Sequence, residues 1–218
     1  MKKWIDKKVF IDQLKNGQSI MVGGFMTCGT PEKLIDWVVE SGVSDLTIIC
    51  NDAGYPNQGV GKLIRNRQVK KLIASHIGLN PYAGELMSLG ELDVSLVPQG
   101  TLAEQIRAYG AGLGGILTPT GIKTIVEENK QIIEIKGNKY ILETALGADI
   151  ALIQAETSDA IGNLVYAKTA RNFNPVMASA AETVIALTNN KTLEIDPECI
   201  VTPHVFIDYL VKEESDEC

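Results

Sequence analysis

Asn16-Gly17-Gln18-Ser19-Ile20-Met21-Val22-Gly23-Gly24-Phe25-Met26-Thr27-Cys28-Gly29-Thr30-Pro31 is the stretch that decides the fold. Asn16-Gly17 reads as a turn, and Ile20 to Val22 is a short apolar run of the kind buried inside a sheet. Gly23-Gly24 ends that strand. Thr30-Pro31 is expected to open a helix, with a hydroxyl at the N-cap and proline at the first helical position. Strand, glycine loop and helix N-terminus together aim backbone N–H groups at whatever lies above the strand end. Loops of this build commonly hold a ligand.

Outward from this stretch the same cycle repeats. Upstream, Trp4, Ile5, Val9, Phe10 and Leu14 fall near helical spacing, which predicts a helix over residues 4 to 15. Downstream, a helix from Pro31 to about Glu40 buries Leu34, Ile35, Val38 and Val39. Strands are expected at Asp45 to Cys50, Lys71 to His76 and Asp93 to Val97, with helices at Val60 to Ile64, Asn80 to Leu89 and Thr101 to Tyr109. Such alternation implies right-handed βαβ units. After Gly110 the texture changes: Ile132 to Lys136 and Tyr140 to Glu143, joined by Gly137-Asn138, predict a hairpin. Ala148 to Ala155 and Thr183 to Leu187 are further strands, Val205 to Val211 reads as helical, and Glu213 to Cys218 as a solvated tail. The expected fold class is α/β: an open, mostly parallel, doubly wound sheet with helices on both faces and a small β-hairpin insertion. Residues 1-218 form one domain in this reading.

Composition narrows the function. With 218 residues, 45% of them hydrophobic, the chain can bury a sizeable core. A net charge of −7 and the lack of a dense basic stripe speak against nucleic acid as a partner. No apolar run reaches the roughly 18 residues of a spanning helix, and the start has no signal-like apolar segment, so no membrane is expected and the location is expected to be cytoplasmic. Cys28, Cys50, Cys199 and Cys218 are scattered without a CxxC pair, which suits a reducing compartment and argues against a structural metal.

Ligands of doubly wound sheets bind beyond the carboxyl ends of the strands. Four loops leave such ends: Gly23 to Thr30, Asn51 to Gly59, His76 to Asn80, and Pro98 to Thr101. Turn residues alone would explain any one of them; four at one edge point to a cleft. Gly110-Ala111-Gly112-Leu113-Gly114-Gly115 satisfies GxGxxG but follows a helix and precedes a strand, the reverse of the dinucleotide fingerprint. The opening loop lacks the Gly-Lys-Ser/Thr of a P-loop, and Glu32 opposes a phosphate at its helix. Cys28 near a helix N-terminus is a candidate nucleophile with His76 or His204 as base, though a small inert cysteine in a packed loop is the more ordinary reading. Gln99 differs from these: a neutral amide at a strand end can donate to an acyl oxygen as charge develops there.

Taken together, these stretches resemble the A subunits of the class I (3-oxoacid) CoA-transferases. The family signature, a polar turn, three apolar residues, Gly-Gly-Phe, three variable residues and Gly-x-Pro, is complete from Asn16 to Pro31. Asn51-Asp52-Ala53-Gly54, Pro98-Gln99-Gly100-Thr101-Leu102-Ala103-Glu104, Leu117-Thr118-Pro119-Thr120-Gly121 and the segment from Lys168 to Pro175 also fit. The resemblance covers nearly the whole chain and extends to bacterial enzymes acting on acetate, butyrate and acetoacetate. The A subunits of succinyl-CoA:3-oxoacid and 3-oxoadipate CoA-transferases are the alternatives within the family.

The resemblance implies transfer of CoA from an acyl-CoA to a carboxylic acid through a glutamyl-CoA intermediate. In the family that glutamate lies in the B subunit, within Glu-Asn-Gly, a sequence absent here; Glu127-Glu128-Asn129-Lys130 comes nearest. The expected partner is therefore a CoA-transferase B subunit, in an A2B2 assembly, with no cofactor because the CoA thioester is itself a substrate. Gln99 takes the oxyanion-hole position. Gly23, Gly24, Phe25, Met26, Thr27, Cys28, Gly29, Thr30 and Asn51 are the expected substrate and CoA contacts. Many relatives carry two asparagines where this chain has Asn51-Asp52, and a carboxylate facing the cleft would repel a carboxylate substrate. Two readings from other classes stand beside this one: a self-sufficient Cys28 acyltransferase or thioesterase, and a non-catalytic CoA-binding module.

Overall fold

The computed structural model describes residues 3–213, so Cys218 and the rest of the expected tail beyond Glu213 lie outside the described residues. Strands and helices alternate through the first hundred: β1 (Lys3–Trp4), α1 (Lys7–Ile11), β2 (Ser19–Val22), α2 (Glu32–Ser41), β3 (Leu46–Cys50), α3 (Val60–Arg65), β4 (Val69–Ala74), α4 (Pro81–Ser88) and β5 (Asp93–Leu96). They are followed by α5 (Gln99–Gly110), β6 (Gly115–Thr118), β7 (Ile132–Ile135), β8 (Asn138–Thr144), β9 (Ala148–Ser158), β10 (Leu164–Val165), α6 (Asn174–Met177), β11 (Ala181–Lys191) and β12 (Tyr209–Lys212).

Nine strands form the main sheet, in the order β1-β12-β11-β9-β2-β3-β4-β5, with β10 antiparallel on β9 and every other pairing parallel. The sequence order reverses between β2 and β9, which makes that junction the topological switch point. Helices cover both faces because the central strands are apolar on both. Ile20 and Val22 of β2 pack with Leu34 and Ile35 of α2 and Leu63 of α3. Met21, pointing the other way, packs with Leu102 and Ile106 of α5 and Met177 of α6. All three strand residues are buried, each stabilising the fold by roughly 1.5–3 kcal/mol. At the opposite end of these strands Asp149 accepts from the Ser19 amide and hydroxyl, both at 2.7 Å, and so pins β2 to β9.

The expectations hold for the parallel sheet and fail at identifiable places. Residues 4 to 15 do not form one helix: Trp4 is in β1, and Asp6 accepts from the Val9 amide to start the short α1. Val205 to Val211 is not helical. His204–Phe206 makes a single 3₁₀ turn, and β12 then runs parallel to β11, with Leu210 and Val211 sent to opposite core clusters. Thr30 does not cap α2: Pro31 takes that position with no side-chain bond, and the helix begins at Glu32.

The β insertion is larger than a hairpin, since β6 adds to β8 and β7 in a three-stranded antiparallel sheet. Its turn centres on Lys136-Gly137, both with positive φ, one residue before the expected Gly137-Asn138. The insertion is tied to α5 through Glu143. This buried carboxylate pairs with Lys130 at 2.7 Å and accepts from Gln105 at 3.3 Å.

Candidate active site

The loop after β2 is a tight two-residue hairpin. Phe25 and Cys28 exchange backbone hydrogen bonds at 3.1 and 2.9 Å, leaving Met26 and Thr27 at the tip with φ of 47° and 68°. Left-handed backbone costs a side-chain-bearing residue about 1–2 kcal/mol, and a β-branched threonine tolerates it least. That strain is held by Asp52, whose carboxylate accepts from the amides of Met26 (2.9 Å) and Gly54 (3.0 Å) and from the Asn51 side chain (2.8 Å). Asp52 is 6% exposed and bound on both oxygens, so its charge serves the loop and does not confront a ligand.

Asn51 passes this order on to Gln99. It is 1% exposed; its Oδ1 accepts from Gln99 Nε2 at 2.6 Å, and the Ser75 hydroxyl donates to its carbonyl at 2.7 Å. Gln99 is therefore oriented through a neighbouring loop that is itself fixed to β4. It is the first residue of α5, one step further into the helix than the expected strand-end position. Pro98 offers no side-chain cap, so the first-turn amides of α5 lack intrahelical acceptors beside the Gln99 side chain. Backbone and side-chain donors thus lie together at the start of α5.

The glycines are explained by the protein's own packing. A Cβ on Gly23 would overlap Oδ1 of Asn174 and stand 2.8 Å from its Cγ; one on Gly29, at φ 72°, would stand 2.7 Å from the Ala170 carbonyl. Gly24 has φ 116° and lies against Thr30, which is buried. These residues were expected as substrate and CoA contacts; Gly23 and Gly29 admit the crossover between β9 and β11, and Gly24 admits Thr30 of its own loop. Asn174, fully buried, donates to the Gly29 and Ala170 carbonyls at 2.9 and 2.8 Å and accepts from the Gln154 amide at 3.0 Å. Asn172 donates to the Cys28 and Thr169 carbonyls, both at 2.9 Å. Sequence reasoning places this segment within the family resemblance and gives it no site role. Asn172-Phe173-Asn174-Pro175 carried the signal, since asparagines in a crossover turn back on backbone.

What remains open is a groove of about 1000 Å³ between α5 and that crossover, with Gln99, Phe25, Lys168 and Arg171 on its walls. A second hollow beneath the glycine loop is only about 10 Å³, about one water. Of the expected contacts, Phe25 and Gln99 reach the groove; Gly23, Gly24, Thr27, Thr30 and Asn51 line the small hollow, and Met26 is exposed at the tip.

Cys28 is exposed and meets the Thr169 hydroxyl at 3.3 Å, and no bond joins it to a histidine. His204 meets Asn163, and His76 is bridged to Asp52 through backbone, so the Cys–His arrangement is not assembled. Cys50 is buried, and burial first, then the Asp52 charge, pushes its thiol pKa up. Glu32, expected to repel a phosphate, instead accepts from the Gly59 amide at 2.7 Å and pairs with Lys62.

The comparisons agree with this architecture. The chain is 53% identical over 201 residues, 91% of its length and 92% of the relative's, to the acetoacetyl-CoA:acetate/butyrate CoA transferase alpha subunit of Clostridium acetobutylicum. It is 52% identical over 199 residues, 90% of each chain, to the acetate CoA-transferase alpha subunit of Escherichia coli K12. The A subunit of a succinyl-CoA:3-ketoacid coenzyme A transferase from Helicobacter pylori matches at 44% over 206 residues, 94% of this chain and 89% of that one. The crystal structure of an acyl-CoA transferase from E. coli O157:H7, in thioester complex with CoA, superposes with a TM-score of 0.86 at 19% identity. It covers 97% of this chain, which spans about half (47%) of that longer one, and it speaks for the fold alone. The Coenzyme A transferase family matches residues 7–213, and the chain belongs to that family.

Proposed function

We propose that the chain is the alpha (A) subunit of a heteromeric CoA-transferase that moves CoA between short-chain acyl-CoA and a carboxylic acid, with acetate, butyrate and acetoacetate as the acids. The observation that carries the reading is the groove itself. An oriented amide donor, Gln99, stands on its wall, and among the described residues no carboxylate lines it. The reaction needs a carboxylate nucleophile, so a partner supplies it. Glu128, which precedes Asn129 in the nearest approach to a Glu-Asn-Gly, lies in the β insertion and is absent from the groove wall.

In this mechanism the partner's glutamate attacks the thioester carbonyl, and Gln99 donates to the oxygen as it becomes an oxyanion. Collapse expels the CoA thiolate and leaves an acyl-glutamyl anhydride. The thiolate returns to the glutamyl carbonyl, frees the first acid and forms glutamyl-CoA; the second acid reverses the sequence. Asn51 keeps the Gln99 amide from turning away between these steps. The thioester is a substrate, and the reading calls on no resident cofactor. The alpha-subunit names of the Clostridium acetobutylicum and Escherichia coli K12 relatives support a two-chain enzyme, for which A2B2 is our proposed assembly, working in the cytoplasm. No helix among the described residues is long and apolar enough to cross a membrane.

Reconstitution tests the proposal. Mixed with its B subunit the chain should exchange acetyl-CoA with acetoacetate, and alone it should not. Gln99→Ala in the complex should lower turnover by about 10²–10³. Turnover by the lone chain, or an unchanged rate in the variant, would refute the assignment. The 44% match to a succinyl-CoA:3-ketoacid enzyme makes succinyl-CoA the competing donor to assay beside it.

A further inference from the structure

Behind Gln99 stands a line of hydrogen bonds whose direction is fixed from its far end. Gln99 itself is exposed at the start of α5, and a glutamine amide there could turn either its nitrogen or its oxygen toward a neighbour. Only the nitrogen can stabilise an oxyanion. What decides between the two faces is buried.

Asp52 is the fixed end. Its Oδ2 accepts from the Met26 amide at 2.9 Å and from Asn51 Nδ2 at 2.8 Å, and its Oδ1 accepts from the Gly54 amide at 3.0 Å. The two backbone amides can only donate, so both carboxylate oxygens are committed as acceptors. An asparagine at this position would have one oxygen for the two amides and would turn its own NH2 against one of them. No cation pairs with Asp52 among the described residues, so its charge rests on these N–H donors.

From Asp52 the polarity passes outward. Because Oδ2 accepts, Asn51 has to present its Nδ2 there and its Oδ1 on the other side. Asn51 is buried, so water offers its amide no alternative partner. The Ser75 hydroxyl, which donates to the Asn51 carbonyl at 2.7 Å, also lies 3.3 Å from Oδ1 as a donor and so favours the same orientation. Oδ1 in turn accepts from Gln99 Nε2 at 2.6 Å. That nitrogen carries two hydrogens: Asn51 takes one, and the other is left for the acyl oxygen. Reversing the Asn51 amide would reverse Gln99 and put Oε1 where Nε2 stands, and an oxygen there repels the charge that the reaction develops.

We propose that Asp52 is a positioning residue for the transfer reaction: its carboxylate, acting through Asn51, sets which face of the Gln99 amide meets the thioester oxygen. The inference rests on the CoA-transferase reading above and adds to it a residue that lies outside the groove wall. Hydrogen bonds in such a chain polarise one another, so the ionised end also strengthens the donor at the other.

The test is a set of double-variant cycles in the complex with the B subunit: Asp52→Asn and Asn51→Ala, each alone and each combined with Gln99→Ala. Asp52→Asn, which keeps the size of the side chain, should lower kcat and kcat/KM for acetyl-CoA together by about 10–100-fold, with KM within about twofold. Added to Gln99→Ala, the same change should cost less than about twofold more, because the group it orients is gone. Losses that multiply in the double variant would overturn the inference, since Asp52 would then act on the loop independently of Gln99. A raised KM at unchanged kcat would overturn it as well. Should Asp52→Asn fail to fold, Asn51→Ala is read in the same cycle, because it cuts the line of bonds and leaves Asp52 on the Met26 and Gly54 amides. A loss of kcat that disappears in Gln99→Ala supports the relay, and an equal loss in both backgrounds overturns it. A wild-type complex that transfers no CoA at all would instead refute the functional reading, so the two failures are distinct.

Discussion

Replacing Gly23 by alanine tests whether the glycine loop is shaped by the protein or by its ligand. All three atoms nearest to the added methyl belong to the Asn174 side chain, and the closest of them, Oδ1, would overlap it. Asn174 is buried with no room to yield, so in Gly23→Ala it must leave its position. Its departure breaks the bonds to the Gln154 amide and to the Gly29 and Ala170 carbonyls. At about 1–1.5 kcal/mol for each of these part-buried groups, Asn174→Ala should cost about 3–5 kcal/mol. Gly23→Ala should cost that and an overpacking penalty of about 1–3 kcal/mol besides. In the double variant the new methyl enters space the asparagine has vacated, so its stability should match that of Asn174→Ala alone. The cycle therefore predicts a coupling of at least about 3 kcal/mol, read from urea midpoints at constant m-value. Additivity within about 0.5 kcal/mol would refute the packing account and return Gly23 to a ligand role.

Three further outcomes follow from the geometry. Thr27→Gly should stabilise the chain by up to about 1 kcal/mol, because the tip residue sits at φ 68°; a loss of stability in urea would show that the tip is unstrained. Iodoacetamide on the native chain at pH 8 should label the exposed Cys28 and Cys199 and spare buried Cys50, and Cys28→Ser should retain transfer activity in the complex; rapid labelling of Cys50 by peptide mass spectrometry would contradict its burial. Asp149 is held below the usual carboxylate range by the Ser19 amide first and its hydroxyl second. A depressed folded value contributes stability that is present above the unfolded pKa, about 3.9, and lost as pH falls through the folded one. The stability gap between wild type and Asp149→Asn should therefore be constant near neutrality and close below about pH 4; a gap that persists at pH 2 would exclude the charge as its source.

The sheet was legible in the sequence because its parallel core strands are short apolar runs set between helices of regular period. Where the reading failed, the local signal was ambiguous. Val205 to Val211 carries apolar residues that fit either period, and only pairing with β11, some twenty residues upstream, makes it a strand. Lys136 in a left-handed turn has no compositional mark, so the hairpin turn was placed one residue late. At the site, Gln99 and the loops around it were visible as polar residues at strand ends. The partners of Gly23 and Gly29 were not, because Asn174 and Ala170 lie about 140–150 positions away in the chain and their contact depends on how the crossover is laid over the sheet. The direction of the Asp52 carboxylate was equally hidden: an acid after Asn51 could face the cleft or the loop, and three donors decide for the loop.

The junction of β2 with β9 also governs the order in which the molecule can be built. Ile20 pairs with Ile150, so the centre of the sheet joins residues 130 positions apart. β2 to β5 with their helices make only near-neighbour connections and can assemble as the chain emerges from the ribosome. Until β9 has been synthesised, β2 is an open edge of buried-type residues, a template for pairing with another chain. The Asn174 clamp closes later still. A nascent or truncated chain ending before about residue 175 would carry the complete family signature and yet have no formed groove, and its hazard would be aggregation through β2 rather than weak catalysis.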